Sequence, residues 1–458
     1  MSVATVASAM MEHVSKKVMH WNVLSPGVNK FIKPKTDVVK GISRYFYRTP
    51  VVQHMGGVYA KVSANAGAAP LGTSPSITHL TFAYFYSLRM YRFTEEEIDI
   101  TSSNVASVMD TLSETISNAM IDSAIDDNVC FHTNGSGFLT NSCSSITGTN
   151  TMVFAGATDT VGVRRLRIGQ ACDVWTLDGA TKRAPATAQP LIISSIDYTT
   201  KTVVFDQNVT SLAATDRISF QDLDAYGPAT LVTGASTWPG TAPDTTAAGL
   251  SGDSFRHGLY YAHDDTGATY YAGRQRSVLP QLKPVKYAAP TSGTALQFAH
   301  GQYIADAMFS KRQDEALYKG MIGLAPFAQR AQLFTQGVNL ATRMFDGSQM
   351  GKSTDLMPSN NGPMDPFPYA GFTMYPDVLQ ADDRIDFINP GRNWFRTEVV
   401  PTDWWKSAKG DKFKEGRNSS GRPTMSLEFG IKAVYDLGCL DPGSEGYLES
   451  FAIPAVYQ

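Results

Sequence analysis

The acidic run in MYRFTEEEIDITSSNV, residues 90–105, is the most enzyme-like feature of the 458-residue chain, because paired carboxylates can act as general acid and base. Successive side chains on an extended strand point to opposite faces, so Glu95 and Glu97 could share a face whereas Glu96 could not. A catalytic pair must also converge in a cleft where its two pKa values are driven apart. These acids, with Asp99 after them, instead precede a predicted helix start, where the helix dipole stabilises negative charge. The pattern favours a charge patch that is solvent-exposed or lies between subunits.

Two further acidic groups could begin a metal site. They are His263, Asp264 and Asp265 in YYAHDDTGATYYAG, and Asp382, Asp383 and Asp386 in QADDRID. Oxygen-ligand metal sites need several more donors at set spacing, and neither stretch supplies them. Both groups are therefore predicted to be polar loops, with a metal site as the alternative. No metal and no cofactor are expected.

The sequence DGSQMGKST at 346–354 is close to a phosphate-binding P-loop but lacks its spacing. Three residues separate Gly347 from Gly351, where the motif needs four, and no hydrophobic strand leads into the loop. Because the shorter loop cannot wrap its amides around a phosphate, a surface loop is predicted. The sequence also has no Ser/His/Asp or Cys/His arrangement at a nucleophile elbow. The chain is predicted not to be an enzyme.

Composition excludes other classes of protein. Charged residues make up 18% of the chain and the net charge is -3, which argues against a dedicated nucleic-acid reader. The four cysteines form no CxxC pair and are expected to be free thiols in a reducing cytoplasm. The N-terminus has no basic region of the kind that starts a signal peptide, and no apolar run reaches the ~18 residues of a membrane span.

The first third of the chain predicts an arm, a long hairpin and a long helix. The hairpin comprises strand-like runs on either side of the Gly/Ala/Pro/Ser tip in GGVYAKVSANAGAAPLGTSPSITHLTFAYFYSLRMYRF. A second strand of about 13 residues would span about 43 Å, far beyond an ordinary strand, so the hairpin must project and be covered by a neighbouring copy. Apolar residues then recur at helical spacing from Val105 to Ala124, with Asp127 and Asn128 predicted to close the helix.

The rest of the chain predicts a β-rich insertion, two helices and a strand-rich end. Short strand patterns from Cys130 to Asp224, including a hairpin in IDYTTKTVVF, indicate a small inserted barrel. A helix is predicted in SGTALQFAHGQYIADAMFSKRQD, with one apolar face formed by Leu296, Ala299, Tyr303, Ala307 and Phe309 or Ser310. LYKGMIGLAPFAQRAQLF predicts a buried strand, a proline near a helix start, and a third helix.

Aromatic and charged residues in two segments are candidate interface residues, because aromatic residues and arginine mark protein interfaces. One segment is the returning strand of the hairpin and its junction with the helix; the other is the basic, glycine-rich segment PTDWWKSAKGDKFKEGRNSSGRP. The candidates are Tyr84, Tyr86, Arg89, Arg92, Glu95, Glu97, Trp404 and Trp405.

Taken in order, these elements resemble the major capsid proteins of tailed bacteriophages, which have the α+β Hong Kong 97-type fold. The resemblance identifies the hairpin as the extended E-loop and TSSNVASVMDTLSETISNAMIDSAID as the spine helix. It relates RIDFINPGRNWFR and RPTMSLEFGIKAVYDLG to the late strands that close the axial and peripheral sheets. The implied ranges are an N-terminal arm (1–45), an E-loop hairpin with the start of the peripheral domain (46–100), a spine helix (101–129), a β-rich insertion (130–224), an axial-type domain (225–390) and closing C-terminal strands (391–458).

The resemblance implies hexamers and pentamers that assemble in the host cytoplasm into an icosahedral virion capsid around double-stranded DNA. Expected partners are other copies of the chain, a separate scaffolding protein, a portal and non-specifically held DNA, without a membrane. Two alternatives remain: an encapsulin-type compartment shell, and a secreted β-rich carbohydrate-active enzyme or adhesin.

Overall fold

The computed structural model describes residues 32–35, 39–40, 45–54, 76–83, 85–94, 125–134, 137–154, 160–177, 181–187, 190–220, 258–265, 270–272, 274–291, 293–312, 318–344, 366–404, 413–417 and 423–454. This part of the chain contains helices and many strands arranged in separate sheets, so the predicted α+β class is confirmed. None of its helices is long and apolar enough to cross a membrane.

A long C-terminal strand organises the first sheet, which we call the long-strand sheet. Its strands are β1 (Lys33–Lys35), β5 (Phe85–Thr94), β19 (Trp394–Trp404), β20 (Phe413–Arg417) and β21 (Pro423–Cys439). β21 pairs antiparallel with β5, β19 and β20, and β1 adds to β19 in parallel. Residues close to the start of the described chain are thereby joined to residues close to its end.

The hairpin strands form the second sheet, the ribbon sheet, in the order β2 (Val39–Lys40), β3 (Tyr45–His54) and β4 (Ser76–Ala83). The prediction of one long returning strand was wrong. β4 ends at Ala83 and pairs with β3, whereas β5 begins at Phe85 and pairs with β21 in the other sheet. The apolar run is divided because each half has a different partner. The predicted tip and the first predicted strand, residues 56–75, lie outside the described residues.

The predicted long helix is described only at its end, where residues 125–131 form helix α1. Its predicted end at Asp127 and Asn128 was wrong, since the helix continues to Phe131. The reason is that Val129, Cys130 and Phe131 are buried apolar residues that extend the packed face beyond the two polar ones. The predicted helical residues before position 125 lie outside the described part.

The predicted insertion forms a third sheet, the insertion sheet, with its own apolar core. Its strands, in the order β11-β8-β9-β10-β7-β6, are β6 (Ser145–Ile146), β7 (Thr151–Val153), β8 (Ala171–Trp175), β9 (Leu191–Asp197), β10 (Thr202–Phe205) and β11 (Arg217–Phe220). The predicted hairpin in IDYTTKTVVF is confirmed as β9 and β10. The two end strands are linked through the segment just before β6: the Leu139 amide donates to the Ile218 carbonyl of β11 at 2.8 Å and the Cys143 amide to the Asp216 carbonyl at 2.9 Å, as the predicted barrel requires.

The fourth sheet, the mixed sheet, contains parallel and antiparallel pairs. Its strands, in the order β14-β22-β18-β15-β17-β16, are β14 (Val285–Ala288), β15 (Ile322–Ala325), β16 (Phe367–Tyr369), β17 (Phe372–Pro376), β18 (Ile385–Ile388) and β22 (Gly446–Glu449). A two-stranded pair, β12 (Tyr270–Tyr271) and β13 (Arg274–Gln275), precedes them.

The described residues also contain the helices α2 (Leu259–Ala262), α3 (Phe298–Arg312) and α4 (Phe327–Met344). The predicted passage from buried strand through proline to helix is confirmed. All four residues of β15 are buried, and Pro326 precedes α4 and accepts a hydrogen bond from the Arg330 amide at 3.0 Å. This position suits proline, because its missing N–H would have no partner at a helix start.

The predicted apolar face of α3 was wrong. The residues that pack on the mixed sheet are Gly301, Ile304 and Met308, whereas Tyr303 is 56% and Phe309 49% exposed. Ile304 and Met308 approach Gly446 of β22 at 3.2 and 2.9 Å from an ideal Cβ, so α3 lies directly on that strand. Two apolar stripes occur on this helix, and periodicity alone does not tell which one faces the sheet.

Candidate functional site

Four buried charged side chains meet where α2, β18 and the start of β22 converge, and we call them the polar junction. They are His263, Arg384, Asp386 and Glu445, and the side chain of each is at most 2% exposed. Asp386 lies in the middle of β18, whose four residues are all buried. His263 is the C-cap residue of α2, and Glu445 ends the 3-10 helix Pro442–Ser444 directly before β22. Three segments far apart in sequence therefore contribute to one cluster.

The imidazole of His263 bridges two carboxylates. Its Nδ1 lies 2.6 Å from Oδ1 of Asp386, and its Nε2 lies 2.9 Å from Oε2 of Glu445. Both ring nitrogens must donate to satisfy two ionised acceptors, which is the doubly protonated imidazolium. The ring also stacks on Tyr447, with centroids 6.0 Å apart.

Arg384 neutralises the other side of Asp386. Its Nη2 and Nε donate to the carboxylate at 2.8 and 2.9 Å, and Nη2 also reaches the carbonyl of His263 at 3.3 Å. The guanidinium lies over the rings of Tyr447 and Tyr260, 3.9 and 4.6 Å from their centroids. Hydrogen bonds and cation–π contacts thus compensate a charge that would be costly if buried alone.

Glu445 accepts hydrogen bonds from four residues besides His263. Its carboxylate receives the indole N–H of Trp394 at 2.9 Å, the backbone amide of Asn389 at 2.8 Å, the side-chain amide of Asn393 at 3.0 Å and the thiol of Cys439 at 3.7 Å. The first three donors belong to β19 and the turn before it, and Cys439 ends β21. Glu445 therefore holds the start of β22 against the chain that leads into the long-strand sheet.

The environment fixes the protonation of these groups. Burial opposes the charge on His263, but hydrogen bonds to Asp386 and Glu445 outweigh it and raise the pKa of His263. Burial likewise opposes ionisation of Asp386, and Arg384 and His263 reverse the effect and hold its pKa well below the usual range. His263, Arg384 and Asp386 are held in their charged forms and are closed to solvent, so the polar junction is suited to joining strands and not to transferring protons to a substrate.

The structure corrects both polar-loop predictions. His263 of the first acidic group and Asp386 of the second are hydrogen-bonded to each other inside the protein. The polar loops predicted around them fail because Asp386 belongs to a buried strand and His263 to a helix end packed on it. Within the described ranges no group of three or more His, Cys, Asp or Glu residues could hold a metal ion. The glycine-rich segment 346–354 lies outside these ranges.

The raised pKa of His263 predicts a pH effect on stability. A raised folded-state pKa means that the contribution is complete below the unfolded value of about 6.5 and is lost as pH rises through the folded value. We expect the free energy of unfolding, from urea denaturation, to fall between pH 6.5 and alkaline pH in the native chain and to fall less in His263→Gln. Subtracting the two curves removes other titrating groups. Parallel curves would contradict the charged imidazolium.

A second set of contacts attaches the insertion to the turn between β17 and β18. Arg164 donates to the Asp382 carboxylate at 2.8 Å and to the carbonyl of Thr160 at 2.9 Å, and Arg165 donates to the carbonyl of Leu379 at 2.9 Å. From the end of α1, His132 pairs with Asp377 at 3.0 Å. The turn is thus bound on one side by the insertion and leads on the other side directly to Arg384 and Asp386.

The predicted interface residues fall on the long-strand sheet where the structure describes them. Tyr86, Arg89 and Arg92 lie in β5, and Trp404 ends β19. Arg89 and Trp404 are both in register with Ile431 of β21, from its two sides, so the sheet brings these segments into one row. Tyr84, Glu95, Glu97 and Trp405 lie outside the described residues. The interface role of all eight residues stays a prediction.

β5 carries two exposed apolar side chains that the sequence analysis did not select. Leu88 is 40% and Met90 45% exposed, and they lie opposite Lys432 and Gly430 of β21. On the opposite face of the pair, Tyr91 stacks on buried Phe429, with ring centroids 5.1 Å apart. One face of β5 is therefore packed and the other presents apolar surface. The alternation of side chains along MYRF indicated that the strand has two different faces, but it did not show which face would be covered.

Comparison with known proteins finds likeness only among solved structures. No family model and no curated protein matches the chain. It is similar to the capsid asymmetric unit of cyanophage A-1(L), at 10% identity over 92% of this chain and 90% of that one, with a TM-score of 0.45. It is also similar to the capsid of an empty GTA particle, at 8% identity over 94% of this chain and 90% of that one, with a TM-score of 0.42. A third similar structure is that of Mycobacterium phage Bobi, at 9% identity over 92% of this chain and 89% of that one, with a TM-score of 0.40.

Proposed function

We propose that this chain is the major capsid protein of a tailed bacteriophage, with the Hong Kong 97-type fold, and that its role is structural. Copies would form hexamers and pentamers of an icosahedral head that encloses double-stranded DNA, built with a scaffolding protein and a portal. The observation that carries the proposal is the order of elements along the chain. That order was inferred from sequence to resemble this family, and the described residues contain the arm strand, the end of the predicted helix, the insertion and the closing strands in that order.

The order can be followed from the N-terminus. The arm contributes β1, the ribbon sheet β2–β4 comes next, and the end of a helix at 125–131 leads into the insertion sheet. After the insertion come α3 and then the passage from β15 through Pro326 to α4. The last strands return to both large sheets, with β19–β21 in the long-strand sheet and β22 in the mixed sheet.

The surface of the ribbon and of β5 supports self-association. The ribbon sheet is anchored by Leu80 and Phe82 of β4, which are buried in the core of the same chain, while its outer strand edges have no described partner. β5 follows the ribbon sheet in sequence, and its Leu88 and Met90 are exposed. A shell of repeated copies would cover both features, whereas an isolated copy leaves them in water.

The charged clusters support a structural role over catalysis. The polar junction was the best candidate for acid–base chemistry, and its members are enclosed and saturated with partners. Its contacts join β18, β19 and β22, which belong to two different sheets. Rigid connection of sheets is what a shell under internal pressure requires.

Electron microscopy of the purified protein, alone and with any scaffolding protein encoded by a neighbouring gene, tests the proposal. We expect closed particles of uniform size in at least one of these conditions. Particles filled with a protein cargo in place of DNA would indicate a compartment shell. A discrete monomer in every condition would count against any shell-forming role.

Replacing both exposed apolar residues of β5, Leu88→Ser and Met90→Ser, is expected to abolish particle formation. Fully burying such side chains is worth about 1.5–3 kcal/mol each, and every copy in a shell would lose part of that. Because both residues are already exposed, the unfolding midpoint should change little. The matched control is Val278→Ser, which removes a side chain that is 70% exposed on another element. Normal particles from the double variant would exclude this face as an interface.

A further inference from the structure

The insertion is packed against the turn between β17 and β18, residues 377–384, as well as hydrogen-bonded to it. A separate apolar cluster lies at this contact, formed by Phe138, Val161 and Trp175 of the insertion, Tyr260 of α2 and Ala381 of the turn. All five residues are buried. Because such interfaces are close-packed, a shift of the insertion must displace the groups of α2 and of the turn that it contacts.

Tyr260 contacts one arginine of the insertion and one arginine of the polar junction. The guanidinium of Arg165 lies over its ring, 5.6 Å from the centroid, and that of Arg384 lies over it at 4.6 Å. Cations are attracted to the face of an aromatic ring, more strongly when they are desolvated. Arg165 also donates to the Leu379 carbonyl of the turn, and Arg384 holds the carboxylate of Asp386. The ring therefore links the insertion to the polar junction.

The hydroxyl of Tyr260 makes a second link, through the turn. It accepts a hydrogen bond from the Ala381 amide at 3.0 Å and donates one to Oε1 of Gln380 at 3.3 Å. The side-chain amide of Gln380 in turn donates to the carboxylate of Asp386. Burial raises the pKa of Tyr260 to about 12, so the hydroxyl keeps the proton that it donates. Ring and hydroxyl thus lead to the same carboxylate by two routes.

We propose that Tyr260 couples the position of the insertion to the polar junction, so that moving the insertion off the turn loosens Asp386 and the contact between β18 and β22. The coupling is a property of the single chain and does not depend on the proposed function. Groups that are close-packed and joined in one hydrogen-bond network shift together and not one at a time. A neighbouring molecule that displaced the insertion would then change the joint between β18 and β22 without touching it, as a conformational switch requires.

Two variants break the links through Tyr260, and a matched variant acts elsewhere in the insertion. Arg165→Met removes the guanidinium but keeps a stem of similar length, whereas Tyr260→Phe keeps the ring and removes only the hydroxyl. The control is Arg183→Met, because the Nε and Nη2 of Arg183 donate to buried Asp216 at 2.8 and 2.9 Å within the insertion. This change weakens the insertion from inside. Tyr260→Phe, the milder change, decides the question if Arg165→Met does not fold.

Hydrogen exchange of the full-length protein near neutral pH, followed by mass spectrometry, measures the coupling. We expect the amides of β18 and β22 to exchange about tenfold faster or more in Arg165→Met, because hydrogen bonds to a charged group are lost and local opening becomes easier. They should also exchange faster in Tyr260→Phe, by a smaller factor. In Arg183→Met the increase should be confined to the insertion sheet.

Two patterns of exchange would overturn the inference. One is an increase confined to the insertion and the turn in both Arg165→Met and Tyr260→Phe. The other is an equal increase at β18 and β22 in Arg165→Met and Arg183→Met, since any loss of stability in the insertion would then open these strands.

The pH dependence assigned to His263 gives a second readout. The charged and titratable groups against its ring are Asp386, Glu445, Arg384 and Tyr447. By charge alone, removing the cation of Arg165 would raise the pKa of His263. The coupling predicts the opposite, because a loosened Asp386 favours the imidazolium less and the pKa moves down towards its unfolded value of about 6.5. Measured against His263→Gln in the same background, stability should therefore fall less at alkaline pH in Arg165→Met than in the native chain. A larger fall would overturn the inference.

Discussion

Replacing Asp386 by asparagine is expected to lower the free energy of unfolding by about 3–5 kcal/mol, the usual cost of breaking a buried ion pair from one side. The substitution keeps the shape of the side chain, removes its charge and replaces one of its two acceptor oxygens by an N–H donor. Arg384 and His263 would then share a site with one carboxylate fewer, and Arg384 is enclosed too completely to be rehydrated. Urea unfolding near neutral pH measures the effect.

Asp306→Asn is the control for this change. Asp306 is an exposed residue of α3 whose carboxylate accepts one hydrogen bond from Gln302 at 3.0 Å. Loss of its charge should change stability by no more than about 0.5 kcal/mol. An effect of Asp386→Asn as small as that of the control would mean that the polar junction is not a cluster of ionised groups.

The polar junction could not be predicted from the sequence because its members are distant along the chain. His263 and Asp386 are 123 residues apart, and His263 and Glu445 are 182 apart. No local spacing relates them; β18 has to lie beside β22 before the three can meet. The available signal was local: Asp386 lies between Ile385 and Phe387 in an apolar run, and a charge in a buried strand must have a partner.

Elements specified by neighbouring residues were predicted well. The β9–β10 hairpin follows from a polar turn between two apolar runs. The passage through Pro326 follows from a proline that is tolerated at the start of a helix but not in its interior. Prediction failed where tertiary contacts decide. The run from Ser76 to Thr94 is continuous in pattern but divides between two sheets. Helix α3 packs by the smaller of its two apolar stripes, because Gly301 lets Tyr369 approach within 2.5 Å of the position of an ideal Cβ.

The predicted interface residues come together only through tertiary pairing of strands. Arg89 and Trp404 occupy one row of the long-strand sheet, which the sequence could not reveal because 315 or so residues of chain lie between them and the pairing through Ile431 is tertiary. The sequence pattern placed Leu88 and Met90 on one face of a strand, but it did not show that this face is exposed. A contact with another copy depends on surfaces that a single chain's pattern does not encode.

Gly258→Ala is expected to destabilise the protein by about 3 kcal/mol or more, at or above the upper end of what overpacking costs. An ideal Cβ at this position would lie 2.5–2.6 Å from the backbone carbonyl oxygens of Phe131, Cys130 and Thr133. Backbone atoms at the end of α1 cannot rotate away as a side chain would. The glycine's own φ of -135° is open to any residue, so the close approach and not the dihedral angle requires glycine here.

The substitution should also act on the polar junction, because Gly258 is the N-cap of α2 and His263 is its C-cap. Displacing α2 from α1 would draw His263 away from Asp386 and Glu445, so the pH dependence assigned to His263 should weaken together with stability. Gly391→Ala is the control, since nothing lies within 4 Å of the added methyl group. It should leave stability unchanged or raise it slightly by restricting the unfolded chain. If both alanine variants unfold alike, the contact between α1 and α2 is looser than these distances require.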